Sequence, residues 1–343
     1  MKRALSYMVL WSILTLLVGN VQADQTGILS FSSFDRSPDL YLIDSTGKNL
    51  RKLTTDHINK KTPTWSSDGR FFAYQSNDDG DPDIYVMDVR NKTSRQLTNH
   101  PDRDLSPAWS PNGKWIAFIS DRAGDLDIYR VDVDGANLRR LTKWGENKYP
   151  AWSPDSQWIA FISSRNEKKS LSVMNADGNK LRQLGDASFK WGGCTWSPDG
   201  TQIGFSAWDP EVEGINIFII DADGKNTRHL TREEPRDLGF DPKVPLAYRP
   251  AWSPDGNCIA YILEYLRLPK PEGPEKDRKI IFPLVPRDGV ICITNAVDGG
   301  RGKPLRITEE LSSDLSPVWV PEGFFPVSPQ PQLLPTQWGK LKK

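Results

Sequence analysis

Apolar and polar residues alternate along most of this chain in short runs, and a period of two is the signature of a strand with one buried face. Asp127-Ile128-Tyr129-Arg130-Val131-Asp132 is one such run. A denser apolar run, such as Ile116-Ala117-Phe118-Ile119-Ser120, stands before it, and an Asp-Gly pair follows at Asp134-Gly135, Asp177-Gly178, Asp223-Gly224 and Asp298-Gly299. Asp-Gly predicts a tight hairpin, because both central residues of that turn need positive φ. A short closing run ends each phrase: Lys52-Leu53-Thr54, Gln96-Leu97-Thr98, Arg140-Leu141-Thr142, His229-Leu230-Thr231 and Arg306-Ile307-Thr308.

A fourth word opens each phrase and ends on or just after a tryptophan. Pro63-Thr64-Trp65-Ser66-Ser67-Asp68-Gly69 is followed by equivalents at Trp109, Trp152, Trp196 and Trp252, and the word fades at Trp319-Val320-Pro321-Glu322-Gly323. A repeat of roughly 44 residues with several short strands predicts a β-propeller, one four-stranded antiparallel blade per repeat. The region from Gly27 to Thr54 has the last three strands of a blade but no tryptophan word, and the Trp319 word has no blade after it. Pairing the two leaves no blade with an open edge. The expected fold is therefore all-β, a six-bladed propeller closed by the Trp319 strand against the N-terminal strands. The tryptophans are expected between neighbouring blades, and the Pro-Asp-Gly words are expected to be turns.

Residues 1–23 lie outside the repeat. Lys2-Arg3, an apolar stretch from Ala4 to Gly19 and the small residues of Val21-Gln22-Ala23 read as a secretory signal peptide, with an uncleaved anchor as the alternative. The domain reading is signal peptide 1–23, propeller 24–323 and Pro-rich tail 324–343, with a periplasmic or secreted product. Lys and Arg balance Asp and Glu at 44 each. That leaves none of the basic footprint of a nucleic-acid binder. Cys194, Cys258 and Cys292 do not suggest a disulfide framework. Repeat alignment places Cys292 opposite about Tyr261 and Cys258 opposite about Thr294, so free thiols are expected.

The words Pro250-Ala251-Trp252-Ser253-Pro254-Asp255-Gly256, Ile116-Ala117-Phe118 and Asp127-Ile128-Tyr129 with the closing Leu-Thr make the chain resemble the TolB-like periplasmic propellers. The resemblance runs from about Gly27 to Gly323 and is specific for fold. It is far less specific for function. TolB carries an α/β domain ahead of its propeller, and the expectation here is a propeller without it. The resemblance implies protein binding at the cell envelope, with a Pal-like peptidoglycan-associated partner.

If strands alternate up and down from the tryptophan strand, the variable loops share one end with the blade-to-blade connections, where binding residues usually sit. That end should present Lys60, His100, Arg103, Asp104, Trp144, Trp191, Trp208, Tyr248 and Asp314, an aromatic and Arg mixture typical of interfaces. The residues before each tryptophan word, Thr62, Ser106, Tyr149, Gly193, Arg249 and Ser316, should ring the mouth of a central channel.

Enzymatic readings fare worse. The chain has three histidines, His57, His100 and His229, with neither a G-x-S-x-G elbow nor an H-E-x-x-H pair. Asp79-Gly80-Asp81-Pro82-Asp83 opens like a calcium loop but has Ile84 and Arg90 where that loop needs Gly and Glu. No catalytic residue, metal ligand set or cofactor is expected. The reading is an exported, monomeric, non-catalytic scaffold that binds a protein and not nucleic acid, and that keeps no stable membrane insertion after cleavage. The alternative is a hydrolase or lyase using loop carboxylates and His100 at the channel mouth. Mass spectrometry of the secreted protein should find an N-terminus at Asp24 or within a few residues of it; full-length chain in the membrane fraction would refute cleavage.

Overall fold

A computed structural model describes residues 27–34, 38–54, 60–165, 168–184, 192–232, 243–267, 288–300, 303–308, 311–312 and 316–321. These residues form strands and turns without a helix, and none of them makes a helix long and apolar enough to cross a membrane. Four sheets have four strands each, and a further sheet has nine. The order within a sheet follows the repeat: Lys61–Trp65, Phe71–Ser76, Asp83–Asp88 and Thr93–Gln96 pair in sequence, every pair antiparallel.

The N-terminal strands Ile28–Phe34, Pro38–Asp44 and Arg51–Lys52 take Val318–Trp319 as their fourth member, with Leu29 opposite Trp319. The nine-stranded sheet holds two runs of the same kind, one starting at Cys194–Trp196 and one at Lys243–Trp252. They are joined through the parallel pair Ile215 and Leu246. Gly214 makes the approach possible, since a Cβ there would stand 2.7 Å from the Pro245 carbonyl oxygen.

Each tryptophan of the repeat is buried between successive repeats. Trp109 packs among Val86, Ile84 and Ala73 on one side and Ile116, Phe118 and Val131 on the other. Trp152, Trp196 and Trp252 do the same one repeat further on each time, and Trp65 lies between Leu42 and Phe72. Trp319 sits in a cluster that joins Ala260, Ile262 and Ile291 to Leu29 and Phe31. Truncating such a side chain to alanine costs about 3–5 kcal/mol. The indole N–H adds direction. Trp152, Trp196 and Trp319 donate to the carbonyls of Ala108, Ala151 and Ala251, each the residue before the preceding tryptophan. Trp65 donates to the Ser30 hydroxyl, which donates in turn to Val318 O, the residue before Trp319. Trp252 instead bonds Gly256 O, and Trp109 Nε1 is buried without a hydrogen bond.

The Pro-Asp-Gly words are turns, as the sequence implied. Ser66 Oγ donates to Asp68 Oδ1 and accepts the Phe71 N–H, while Arg70 N–H also reaches Asp68. The same bonds recur at Ser153 with Asp155, Ser197 with Asp199 and Ser253 with Asp255. The serine hydroxyl holds the carboxyls of Asp68 and Asp199 below the usual range.

The Asp-Gly turns differ from the two-residue hairpin expected. Positive φ falls on Gly135 and Asn137, not on Asp134, and likewise on Gly224 and Asn226. The loop is one step longer, because Asn137 and Asn226 each reach back to the aspartate that ends the preceding strand, Asp132 or Asp221, at 2.7 Å. In the last full repeat Cys292 stands opposite Tyr261 as expected, but Cys258 faces Asn295 where Thr294 was expected. None of the three cysteines is in a disulfide.

The closing Leu-Thr word fastens the outermost strand. Thr142 Oγ1 accepts the Ile128 N–H and donates to Asp127, as Thr54 does with Leu40 and Asp39, Thr98 with Ile84 and Asp83, and Thr231 with Ile217 and Asn216. Two of these buried aspartates pair with a cation, Asp39 with Lys52 at 2.5 Å and Asp127 with Arg140 at 2.6 Å. Asp83 has Gln96 in that place. Burial pushes the Asp83 carboxyl above its usual value against the Thr98 and Gln96 bonds, with Asp104 and Asp79 adding to the rise. A carboxyl whose folded pKa is raised opposes folding once it ionises, so its penalty is present at neutral pH and vanishes in acid. Asp83→Asn, which installs the side chain that Asn216 supplies, should raise the melting temperature at pH 7 and give no gain at pH 3; thermal scans across pH test this, and a loss at pH 7 would refute it.

Candidate functional site: a cavity at the start of the tryptophan strands

The tryptophan strands share an irregularity that sequence reading did not foresee. Register slips between Lys61 and Thr64, Leu105 and Ala108, Lys148 and Ala151, and Tyr248 and Ala251. At each slip one residue is left-handed: Thr62, Ser106, Tyr149 and Arg249 have φ of 49°, 50°, 57° and 54°. Gly193 occupies the corresponding place with φ 149°. A proline follows all but Gly193. It has no N–H to offer, so the ladder is already interrupted there. The extra residue is a β-bulge, which bends the strand and re-aims side chains at a cost of about 1–3 kcal/mol for a non-glycine left-handed residue.

The four left-handed residues meet, joined by Ser316, whereas Gly193, expected with them, is not in the lining. Thr62, Ser106, Tyr149, Arg249 and Ser316 line one cavity of about 280 Å³, together with Lys61, Gln75 and Lys148. Arg249 Nη1 donates to Ser316 Oγ at 2.5 Å, and its guanidinium lies 5.8 Å from the Tyr149 ring centre. Gln75 Oε1 accepts from both the Ser106 N–H and the Thr62 hydroxyl. Lys148 pairs with Glu146 at 2.8 Å. The described lining has three cationic side chains and no carboxylate. Cys194 donates to Tyr149 O, and burial pushes its thiol up to about 12, so it stays protonated and unreactive.

Other residues expected on this face are placed differently. Asp104 is fully buried, with both oxygens held by Arg122, so it anchors its strand and is not presented to a ligand. Lys60 is also fully buried, its Nζ 5.4 Å from the Tyr74 ring centre. Their neighbours along the chain gave no sign of this, because the partners come from adjacent strands. Arg103 is exposed and pairs with Asp121, and His100 Nδ1 accepts the Asp102 N–H in its own turn. Trp144 is exposed, with Arg165 stacked 5.3 Å away. Trp208 and Tyr248 pack partly buried on Ile215 and Leu246, and Tyr248 donates to Glu264. Trp191, Asp314 and His57 lie outside the described residues. Lys61, Gln75 and Lys148 were missed by sequence reading; the signal for the two lysines was their place immediately before Thr62 and Tyr149.

Repeated four-stranded sheets with tryptophan-filled junctions and a cavity among their first strands define a propeller. The chain belongs to the TolB beta propeller domain family, whose model matches residues 29–237, more than half of the chain. Among solved structures it is similar to TolB from Acinetobacter baumannii, with 22% identity, a TM-score of 0.64, and 92% of this chain and 71% of that one covered. It is also similar to a protein assigned as TolB from Agrobacterium tumefaciens (18% identity, TM-score 0.63, 84% and 91% covered). An oligogalacturonate lyase in complex with manganese shares the fold at 15% identity and TM-score 0.51, with 82% of this chain and 72% of that one covered. No curated protein matches. At these identities the likeness is one of fold.

Proposed function

We propose that this is a six-bladed propeller, residues 24–323, exported after removal of residues 1–23, that serves as a monomeric non-catalytic scaffold binding a protein partner in the periplasm. Closure of the ring is supported by the pairing of Leu29 with Trp319 and by the cluster that joins Ile262 to Phe31. The observation that carries the binding reading is the cavity itself, where one residue from each of several blades is held in a left-handed bulge with an aromatic, an arginine and two lysines around the opening. Rigid aromatic and Arg anchors in a water-excluding recess are what hot spots use. A Pal-like peptidoglycan-associated protein is the proposed partner, on the resemblance to TolB. The non-catalytic reading is supported by the state of the acid-base candidates singled out in the sequence: Asp104 is paired with Arg122 and His100 bonds within its own turn.

Two experiments follow. Captured from envelope extract by the mature chain, a Pal-like protein should bind Arg249→Ala about 1–3 kcal/mol more weakly, with His100→Ala unchanged. Undiminished capture by a folded Arg249→Ala protein, or turnover of a glycan or peptide abolished by His100→Ala, would defeat the proposal. For closure, ending the chain after Ser313 removes the Trp319 strand and should lower the thermal midpoint far more than ending it after Phe325; equal midpoints would refute the ring.

A further inference from the structure

One cluster outside the cavity breaks the pattern of its own repeat. In three other repeats the outermost strand offers a long polar side chain to a buried carboxylate at the start of the third strand: Lys52 to Asp39, Gln96 to Asp83, Arg140 to Asp127. In the repeat that begins at Cys194 the outer residue is His229 and the third-strand residue is the neutral Asn216. The carboxylate comes instead from Asp209, at the end of the second strand.

Asp209 is buried at 1% exposure. Its Oδ1 accepts the Glu211 N–H at 3.0 Å, and its Oδ2 accepts from Asn216 at 3.2 Å and lies 3.4 Å from His229 Nδ1. That nitrogen is buried and makes no hydrogen bond. A buried imidazole nitrogen without a hydrogen bond costs free energy unless a water or an ion meets it. The spacing matches an ion: two donors on arms of about 2.0–2.1 Å at a tetrahedral angle stand roughly 3.3–3.4 Å apart. Glu211 supplies a third donor, with its oxygen, the Asp209 oxygen and the imidazole nitrogen all within 4.8 Å of one another. The present partner of Glu211 is Arg232, in an exposed pair at 2.7 Å that contributes little.

We propose that Asp209, Glu211 and His229 bind a divalent first-row transition metal, Zn²⁺ fitting best. An imidazole nitrogen with two carboxylates suits zinc better than the all-oxygen shells of calcium and magnesium. Three protein donors leave the fourth position to water. The ion ties the outer strand to the 210–213 turn. Sequence reading found no ligand set because the three residues come together only across strands.

The test is metal binding by the mature chain, with Co²⁺ followed by its visible absorption, Zn²⁺ by calorimetry and the three histidines by ¹⁵N spectra. One equivalent should bind, moving the Nδ1 resonance of His229 and raising the melting temperature. His229→Gln, which installs the residue found at Gln96, and the exposed Glu211→Gln should each weaken binding at least about tenfold. Both should keep the wild-type melting temperature in EDTA, and the double variant His57→Gln/His100→Gln should bind like wild type. No saturable binding by the wild type, or unchanged affinity in either His229→Gln or Glu211→Gln, would overturn the three-ligand site.

Discussion

The structure depends on the tryptophan wedge between successive repeats. A four-stranded sheet with apolar faces must bury them against another element. The repeat places one large aromatic at the same point of every first strand, and each one fills the junction with the repeat before it, as Trp152 does between Ile119 and Ile159. At three junctions the indole N–H also fixes depth and rotation by reaching the carbonyl beside the preceding tryptophan, Ala108 for Trp152, Ala151 for Trp196 and Ala251 for Trp319. A side chain that is both the filler and the hydrogen-bond donor of a junction sets the relative position of two sheets with one residue.

With sheet positions fixed by tryptophan, the outer edges need only local fastening. Thr142 closes its strand with two bonds, one accepted from the Ile128 N–H and one donated to Asp127, and Arg140 pairs with the same carboxylate. Such buried carboxylates are tolerable because each oxygen is met. Where the cation is replaced the carboxylate environment changes: beside Gln96 the Asp83 carboxyl is pushed up by burial, and beside His229 the carboxylate comes from Asp209 on another strand.

The inner edges solve a different problem. The first strands converge, and a straight ladder would leave their starts without room or partners. A proline and a left-handed residue break four of these ladders at one point, and Thr62, Ser106, Tyr149 and Arg249 line a shared cavity. The left-handed residue recurs at Thr62, Ser106, Tyr149 and Arg249 and stands three residues before the tryptophan each time.

Much of this was legible in the chain. Strand alternation, the serine-aspartate turns, the repeat and the gathering of Thr62, Ser106, Tyr149, Arg249 and Ser316 at one place follow from period and spacing, because each is a local pattern repeated under one symmetry. The burial of Asp104 and Lys60, the longer Asp-Gly turns, the left-handed bulges and the meeting of Asp209 with Glu211 and His229 were not legible. Their partners lie on other strands, at separations the sequence does not mark, and in the bulges the backbone yields to the convergence of whole sheets. The sequence by itself determined which words fold alike; only the tertiary structure decided which charges are met, which side chains face the cavity and where a donor is left without a hydrogen bond.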